Sequence, residues 1–433
     1  MKLFGTMRIN EKNHLEIGGI DTTELAKHFG TPLYVMDETL IRNNCRLFQS
    51  NFRKEGIQTE VVYASKAFCT LYMCRLIHEE GLALDVVSGG ELYTALKAGF
   101  PTNRIYFHGN NKSDDELKMA IDASIGRIII DNQDEMQRLE ALCGLYKKRM
   151  DVLLRINPGI EAHTHEYIST THNDSKFGES IFNPTIYGLI QRLATSPYLN
   201  FRGLHYHIGS QIFDESAYFR SVEVVITFIK TIKQNIGIDI EELNLGGGFG
   251  ISYTDTDDPI DLSSFLKRYL DYIEHLVSSL GLAMPKLYIE PGRAIVGNAG
   301  ITLYTIGSTK RTYGGKHYIF VDGGLHDHLR TALYGADYTG ILANRARDER
   351  INSFTVTGKS CESGDLIIKS IQLPLPERGD LLAVFSTGAY HYSMASNYNR
   401  MLRPAVVFVK DGQAKLVVKR ETYDDLIRNE RME

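Results

Sequence analysis

Cysteine is scarce in this chain, and its spacing serves neither a disulfide framework nor a zinc site. The 433 residues include five cysteines (Cys45, Cys69, Cys74, Cys143 and Cys361), an odd set with no Cys-x-x-Cys pair. Such usage suits a reducing compartment. Four of them fall in segments with a helical pattern, where a cysteine serves as a small buried hydrophobe; Cys361 does not. An excess of positive charge is also missing. A formal net charge of -5 and a pI near 6.3 leave no broad basic surface for nucleic acid or an anionic membrane. No apolar run reaches membrane-spanning length, and Met1–Arg8 lacks the apolar core of a secretory signal, so the expected location is the cytoplasm. There is no G-x-G-x-x-G fingerprint, no low-complexity linker and no repeat of solenoid period. What is present is an ordinary globular balance, 43% hydrophobic and 23% charged, on a chain too long for one core, so two domains are expected.

From about residue 36 a unit recurs: a short β-branched run, a Gly-rich or polar turn, then an amphipathic helix. The runs are 60–65, 83–87, 105–108, 127–130, 152–156, 203–207, 242–245 and 287–290, with helical patterns between them, such as 90–98, 113–123 and 217–235. Strands alternating with helices imply right-handed parallel βαβ units. Eight units over roughly 250 residues have the size of a closed (β/α)8 barrel of the TIM type. Beyond Ala299 the period changes to short strands (301–306, 317–321, 353–357, 366–371, 381–385, 405–409, 415–418) between Gly, Asp and Pro turns, with helical period only at 332–345. This predicts a C-terminal antiparallel β-domain. The N-terminal segment, with a helix over 22–29 and an extended run at 31–35, precedes the first barrel strand and is expected to join it. The domains are therefore drawn as 36–295 for the barrel, and 1–35 with 296–433 for the β-domain.

A barrel of this type carries its site at the C-terminal strand ends. Those ends offer Lys66, the run Asp85-Val86-Val87-Ser88-Gly89-Gly90, His205-Tyr206-His207-Ile208-Gly209-Ser210-Gln211, Gly246-Gly247-Gly248-Phe249-Gly250 and Glu290-Pro291-Gly292-Arg293. Each has an ordinary reading: a snorkelling lysine, a core histidine, a flexible loop, a structural ion pair. Each also has a chemical one. A lysine ending a buried strand can lose its proton and form a Schiff base. Successive glycines let amides approach a phosphate, with Arg293 and Ser210 as further donors. Glu290 beside a pyridine nitrogen would stabilise a cationic ring, and His207 could stack on it. The weight comes from their convergence on one pocket.

Tyr63-Ala64-Ser65-Lys66-Ala67, His207-Ile208-Gly209-Ser210-Gln211, Gly246-Gly247-Gly248-Phe249-Gly250, Glu290-Pro291-Gly292-Arg293, Cys361-Glu362-Ser363-Gly364-Asp365 and Gly388-Ala389-Tyr390 follow in order along nearly the whole chain. Together they resemble the fold-type III pyridoxal phosphate (PLP) decarboxylases, and most closely the diaminopimelate decarboxylases. The resemblance implies PLP as cofactor, bound to Lys66 through a Schiff base. His207 would stack on the ring and Glu290 would hold its nitrogen. Ser210, Gly247, Gly248, Pro291, Gly292, Arg293 and Tyr390 would surround the phosphate. Arg293, Arg330, Tyr334, Glu362 and Tyr390 would bind substrate, and Cys361 would protonate its Cα. It also implies a homodimer in which Cys361 and Glu362 serve the partner's site. Cys361 sits in a Gly- and Ser-rich loop, where reactivity explains a thiol better than packing does.

Substrate choice turns on the distal end. Ornithine or arginine would need only an acid there, whereas diaminopimelate brings an amine and a carboxylate. Glu362 and Arg330 supply both charges, so the expected activity is decarboxylation of meso-2,6-diaminopimelate to L-lysine. Thr331 stands where that family usually has proline, which is expected to cost only loop rigidity. The alternatives are a decarboxylase of the ornithine or arginine type, a non-catalytic binding relative and a PLP racemase. A zinc hydrolase built on His163, His165 and His172 lacks a partnering carboxylate at helical spacing; segment 163–178 reads instead as a lid. No metal is expected.

Overall fold

Eight parallel strands close on themselves in the computed structural model, which describes residues 2–160 and 175–433. They are Thr59–Ala64, Ala83–Val86, Ile105–Phe107, Arg127–Ile130, Met150–Asn157, Leu199–His205, Glu242–Asn244 and Lys286–Ile289. Each pairs with the next, and the eighth pairs with the first. Every predicted run lies on one of these strands. The turns after them end in helix caps: Ser88, Ser113, Asn132, Asp214 and Asp261 each accept an amide of the following first turn. Ser88 and Asn132 stand just after their strands, whereas Asp214 and Asp261 close longer loops. The interior is packed rather than hollow. Val62, Ala83, Tyr106, Ile129, Leu153 and Tyr288, from six strands, form one buried cluster. At its N-terminal end Glu60 is held by Lys286 (2.6 Å), Arg104 and the Tyr106 hydroxyl (3.2 Å).

The β-rich part is built on the long strand Gly300–Arg311, which pairs antiparallel with His317–Val321, Leu381–Val384 and Leu33–Asp37. The N-terminal segment thus contributes a strand, Leu33–Asp37, as expected, and a helix over Thr22–Phe29. Two pairings are parallel, His317–Val321 with Asn352–Thr357 and Leu33–Asp37 with Ala405–Lys410. Long connections separate these partners in sequence, which is what parallel pairing requires. The helical pattern at 332–345 is only partly realised. A helix spans Arg330–Tyr334, Gly335 stops it in the left-handed region (φ 61°), and Gly340–Leu342 is a strand.

The chain divides into two compact units, 1–44 with 251–258 and 293–433, and 45–250 with 259–292. Where the sequence suggests single cuts at 35/36 and 295/296, the division passes through helix Glu38–Asn51 and assigns residues 251–258 to the β-rich unit. Among the described residues no helix is long and apolar enough to cross a membrane. The lid expected at 163–178 lies largely outside the described residues, as do His163, His165 and His172.

Candidate active site

The first barrel strand delivers Lys66 on a short 3-10 turn, Ser65–Ala67. Its neighbours Ser65 and Ala67 are fully buried, while Lys66 itself is exposed. Strand end and turn are buried around it, so the lysine is an exposed residue between two buried ones. The Ser65 hydroxyl donates to Glu91 (2.9 Å), which also accepts the Val87 amide (2.8 Å), so the turn is fixed to the second strand.

Glu290 follows the eighth strand and is buried. Its Oε2 lies 3.0 Å from His205 Nε2, and Oε1 accepts from Asn244 Nδ2 at 2.7 Å. His108 Nε2 lies 2.8 Å from the same Oε1. Burial alone would raise the Glu290 carboxyl, but His108 and His205 outweigh it and hold the group well below the usual carboxylate range. Burial in turn lowers His205 to about 4, so His205 is a neutral ring donating from Nε2. Asp85, 3.8 Å from His108 through Oδ1, goes the other way: burial raises its carboxyl to about 7, against the pull of His108. The barrel mouth thus holds one fixed anion, Glu290, beside a carboxyl close to neutrality.

His207 is half-buried and its Nδ1 accepts the Gly247 amide at 3.1 Å. That leaves the proton on Nε2. Burial first, then the cations Lys66 and Arg155, keep the imidazole well below its ordinary range. The glycine run is enforced by close approach. A Cβ on Gly246 would meet Tyr206 O at 2.4 Å, one on Gly247 would meet Glu290 O at 2.2 Å, and Gly248 has φ +100°. Gly292 is similarly pressed against Ala64 O (2.9 Å). Among the described residues the Gly248 and Gly292 amides have no hydrogen-bond partner. Pro291 acts on the backbone, its carbonyl accepting from the Ala64 amide at 3.1 Å. Ser210 is half-buried, just before the positive-φ residue Gln211.

In the β-rich unit, Arg293 is buried, donates to the Tyr253 hydroxyl and lies 4.8 Å over the Tyr390 ring. Arg330 is also buried. Its Nε donates to Tyr338 Oη at 3.0 Å, and its guanidinium lies 4.8 Å from the Tyr334 ring and 5.3 Å from Tyr390. Tyr390 reaches this place with φ +62°. Thr331 is not a loop residue: it is buried in the Arg330–Tyr334 helix, and its hydroxyl donates to Ile367 O at 2.8 Å. A proline there would lack that bond. Cys361 is exposed, its amide donating to Asn399 Oδ1 at 2.7 Å, and Glu362 accepts from Tyr398 Oη at 3.4 Å.

Residues 38–297 match the family described as pyridoxal-dependent decarboxylase, pyridoxal binding domain. The chain is 49% identical to the diaminopimelate decarboxylase of Bacillus subtilis (99% of this chain, 98% of that one) and 50% identical to that of Bacillus methanolicus (97% and 98%). Among solved structures, the M. jannaschii diaminopimelate decarboxylase in complex with L-lysine superposes with a TM-score of 0.92 at 34% identity, covering 99% of this chain and 98% of that one. The chain belongs to the diaminopimelate decarboxylase family of pyridoxal-dependent decarboxylases.

For a member of the diaminopimelate decarboxylase family, Glu290, His207 and the glycine run are legible in the sequence, whereas the partners that fix them are not. His108 ends the third predicted run, and a polar residue closing an apolar strand was the available signal. Asn244, inside the seventh strand, gave none. Tyr253 and Tyr338 are likewise silent in sequence. Cys69 differs too, standing in the loop between Ser65–Ala67 and Leu71–Glu79 rather than in a helix.

Proposed function

We propose that the protein decarboxylates meso-2,6-diaminopimelate to L-lysine and CO2, the last step of lysine biosynthesis, using pyridoxal 5'-phosphate, and that it works in the cytoplasm as a homodimer with shared sites. The observation that carries this reading is the near-full-length identity to diaminopimelate decarboxylases. The donor set suits the cofactor. Gly248 and Gly292 have uncommitted amides where a side chain would collide with backbone, as close approach of a phosphate requires, and Glu290 is a fixed anion for a ring nitrogen. When bound, pyridoxal phosphate supplies an electron sink for the pair left at Cα as CO2 departs.

The chain's own residues then divide the work. The Lys66 amine would hold the cofactor through its aldehyde. Glu290, with its own charge held by His205 and Asn244, would keep a proton at the ring nitrogen. His207, held by the Gly247 amide, would stack on the ring. Ser210, Gly247, Gly248 and Gly292 would surround the phosphate, with Pro291 beside them in the cofactor site; Arg293 and Tyr390 would join them on the family resemblance. Arg330 takes the distal carboxylate in a fork, with Tyr334, Tyr390 and Arg293 lining the substrate. Glu362 of the partner subunit accepts from the distal ammonium, and Cys361 of the partner subunit returns a proton to Cα; the exposure of that loop supports a role in trans. Ornithine and arginine bring no distal carboxylate to Arg330. The test is the visible spectrum with CO2 release from diaminopimelate, ornithine, arginine and lysine. CO2 from diaminopimelate alone is expected, and comparable release from ornithine or arginine would refute the substrate assignment.

A further inference from the structure

Arg330 is a buried cation that the protein surrounds with rings rather than with acids. Its Nε is committed to Tyr338 Oη at 3.0 Å, and the Tyr334 and Tyr390 rings lie 4.8 and 5.3 Å from its guanidinium. Among the described residues no carboxylate pairs with Arg330, and its two terminal nitrogens make no hydrogen bond to protein. Those two nitrogens are the accessible part of an otherwise buried residue, so an anion can complete the guanidinium there.

Tyr338 has little freedom. It is buried, and three rings box it nearly edge-on: Tyr253 at 5.1 Å and 79°, His328 at 4.6 Å and 75°, His391 at 5.2 Å and 88°. His328 is itself pinned, with Nε2 3.2 Å from Thr331 Oγ1. Because the Thr331 hydroxyl spends its hydrogen on Ile367 O, it accepts from His328. The chain of bonds thus runs from the sheet, through Thr331 and His328, to the wall of the Tyr338 ring.

We propose that Tyr338 is a positioning residue for substrate choice: by occupying Arg330 Nε it turns the guanidinium so that a carboxylate is received end-on by the two terminal nitrogens. This rests on the diaminopimelate reading above and adds the residue that aims the fork. With the fork fixed, a ligand lacking the carboxylate forgoes both charge-assisted hydrogen bonds. Without the Tyr338 hydroxyl, Nε is left idle, the guanidinium can rotate, and discrimination falls.

L-lysine and 1,5-diaminopentane differ only in that carboxylate, so their affinities for the cofactor-loaded enzyme, measured by calorimetry, isolate it. Tyr338→Phe keeps the ring and its packing. The variant should bind L-lysine about tenfold more weakly or worse, with 1,5-diaminopentane unchanged within about twofold. Equal weakening of both ligands would make the hydroxyl a general structural support and overturn the proposal, as would unchanged L-lysine affinity. A wild-type enzyme that fails to prefer L-lysine would instead refute the diaminopimelate reading, and the role of Tyr338 with it.

Discussion

The two units treat buried charge in opposite ways. In the barrel, Glu290 is met within the protein by His205 and Asn244, with His108 beside it, and burial keeps the His205 imidazole neutral. In the β-rich unit, Arg330 is met by a hydroxyl and two rings, and no acid of the described residues neutralises it. A charge already satisfied can orient a bound group without moving, which is the condition for electrostatic preorganisation. A buried cation left short of an anion selects whatever brings one. The first arrangement suits a resident cofactor, and the second suits recognition of a changing ligand.

Substitutions on the two sides should separate these roles. Lys66→Ala should have the largest effect, lowering kcat by roughly 10⁵-fold and abolishing the cofactor's visible absorbance; an unchanged spectrum would remove Lys66 from the cofactor. Arg330→Ala should cost roughly 10⁴-fold in kcat/KM for meso-diaminopimelate with the visible absorbance intact. Wild-type kinetics in that variant would erase the distinction between the units. Cys361→Ala should slow turnover roughly 10²–10³-fold while leaving the size-exclusion profile unchanged. Mixing the Lys66→Ala and Cys361→Ala proteins should restore part of the activity, because a mixed dimer has one intact shared site. No recovery after subunit exchange would confine Cys361 to its own subunit's chemistry.

Local pattern explains which features could be read in advance. All eight barrel strands are visible because β-branched runs and capped helices alternate at short range, and the strand ends carrying Lys66, His207 and Glu290 follow from that count. The set around Glu290 is not visible, because His108, His205 and Asn244 come from the third, sixth and seventh strands and meet only on closure. At Lys66 the pattern places the lysine at the strand tip, and only the fold shows it exposed between the buried Ser65 and Ala67. The helical reading of 332–345 fails because one glycine, Gly335, can take a left-handed φ and end the helix early. At Thr331 the family pattern suggests a loop, and only the fold reveals the hydroxyl bonded to Ile367 O.

The smallest effect tests whether the barrel side is as charge-matched as its bonds suggest. Burial raises the Asp85 carboxyl from 3.8 to about 7, so between those values the folded state holds a proton that the unfolded chain has released. Stability from this group is full below about pH 4 and is lost as pH rises through 7, at up to about 1 kcal/mol per pH unit. His205, lowered from 6.5 to about 4 by burial, has the opposite sign: its unfolded form binds the extra proton, so its contribution grows as pH rises from 4 to 6.5. The two slopes largely cancel in the native protein. Asp85→Asn removes only the falling one. Thermal or urea unfolding of both proteins from pH 4 to pH 7 should therefore show the variant gaining on the wild type as pH rises. A difference independent of pH would mean that Asp85 is ionised throughout, and that the barrel mouth carries a second fixed anion beside Glu290.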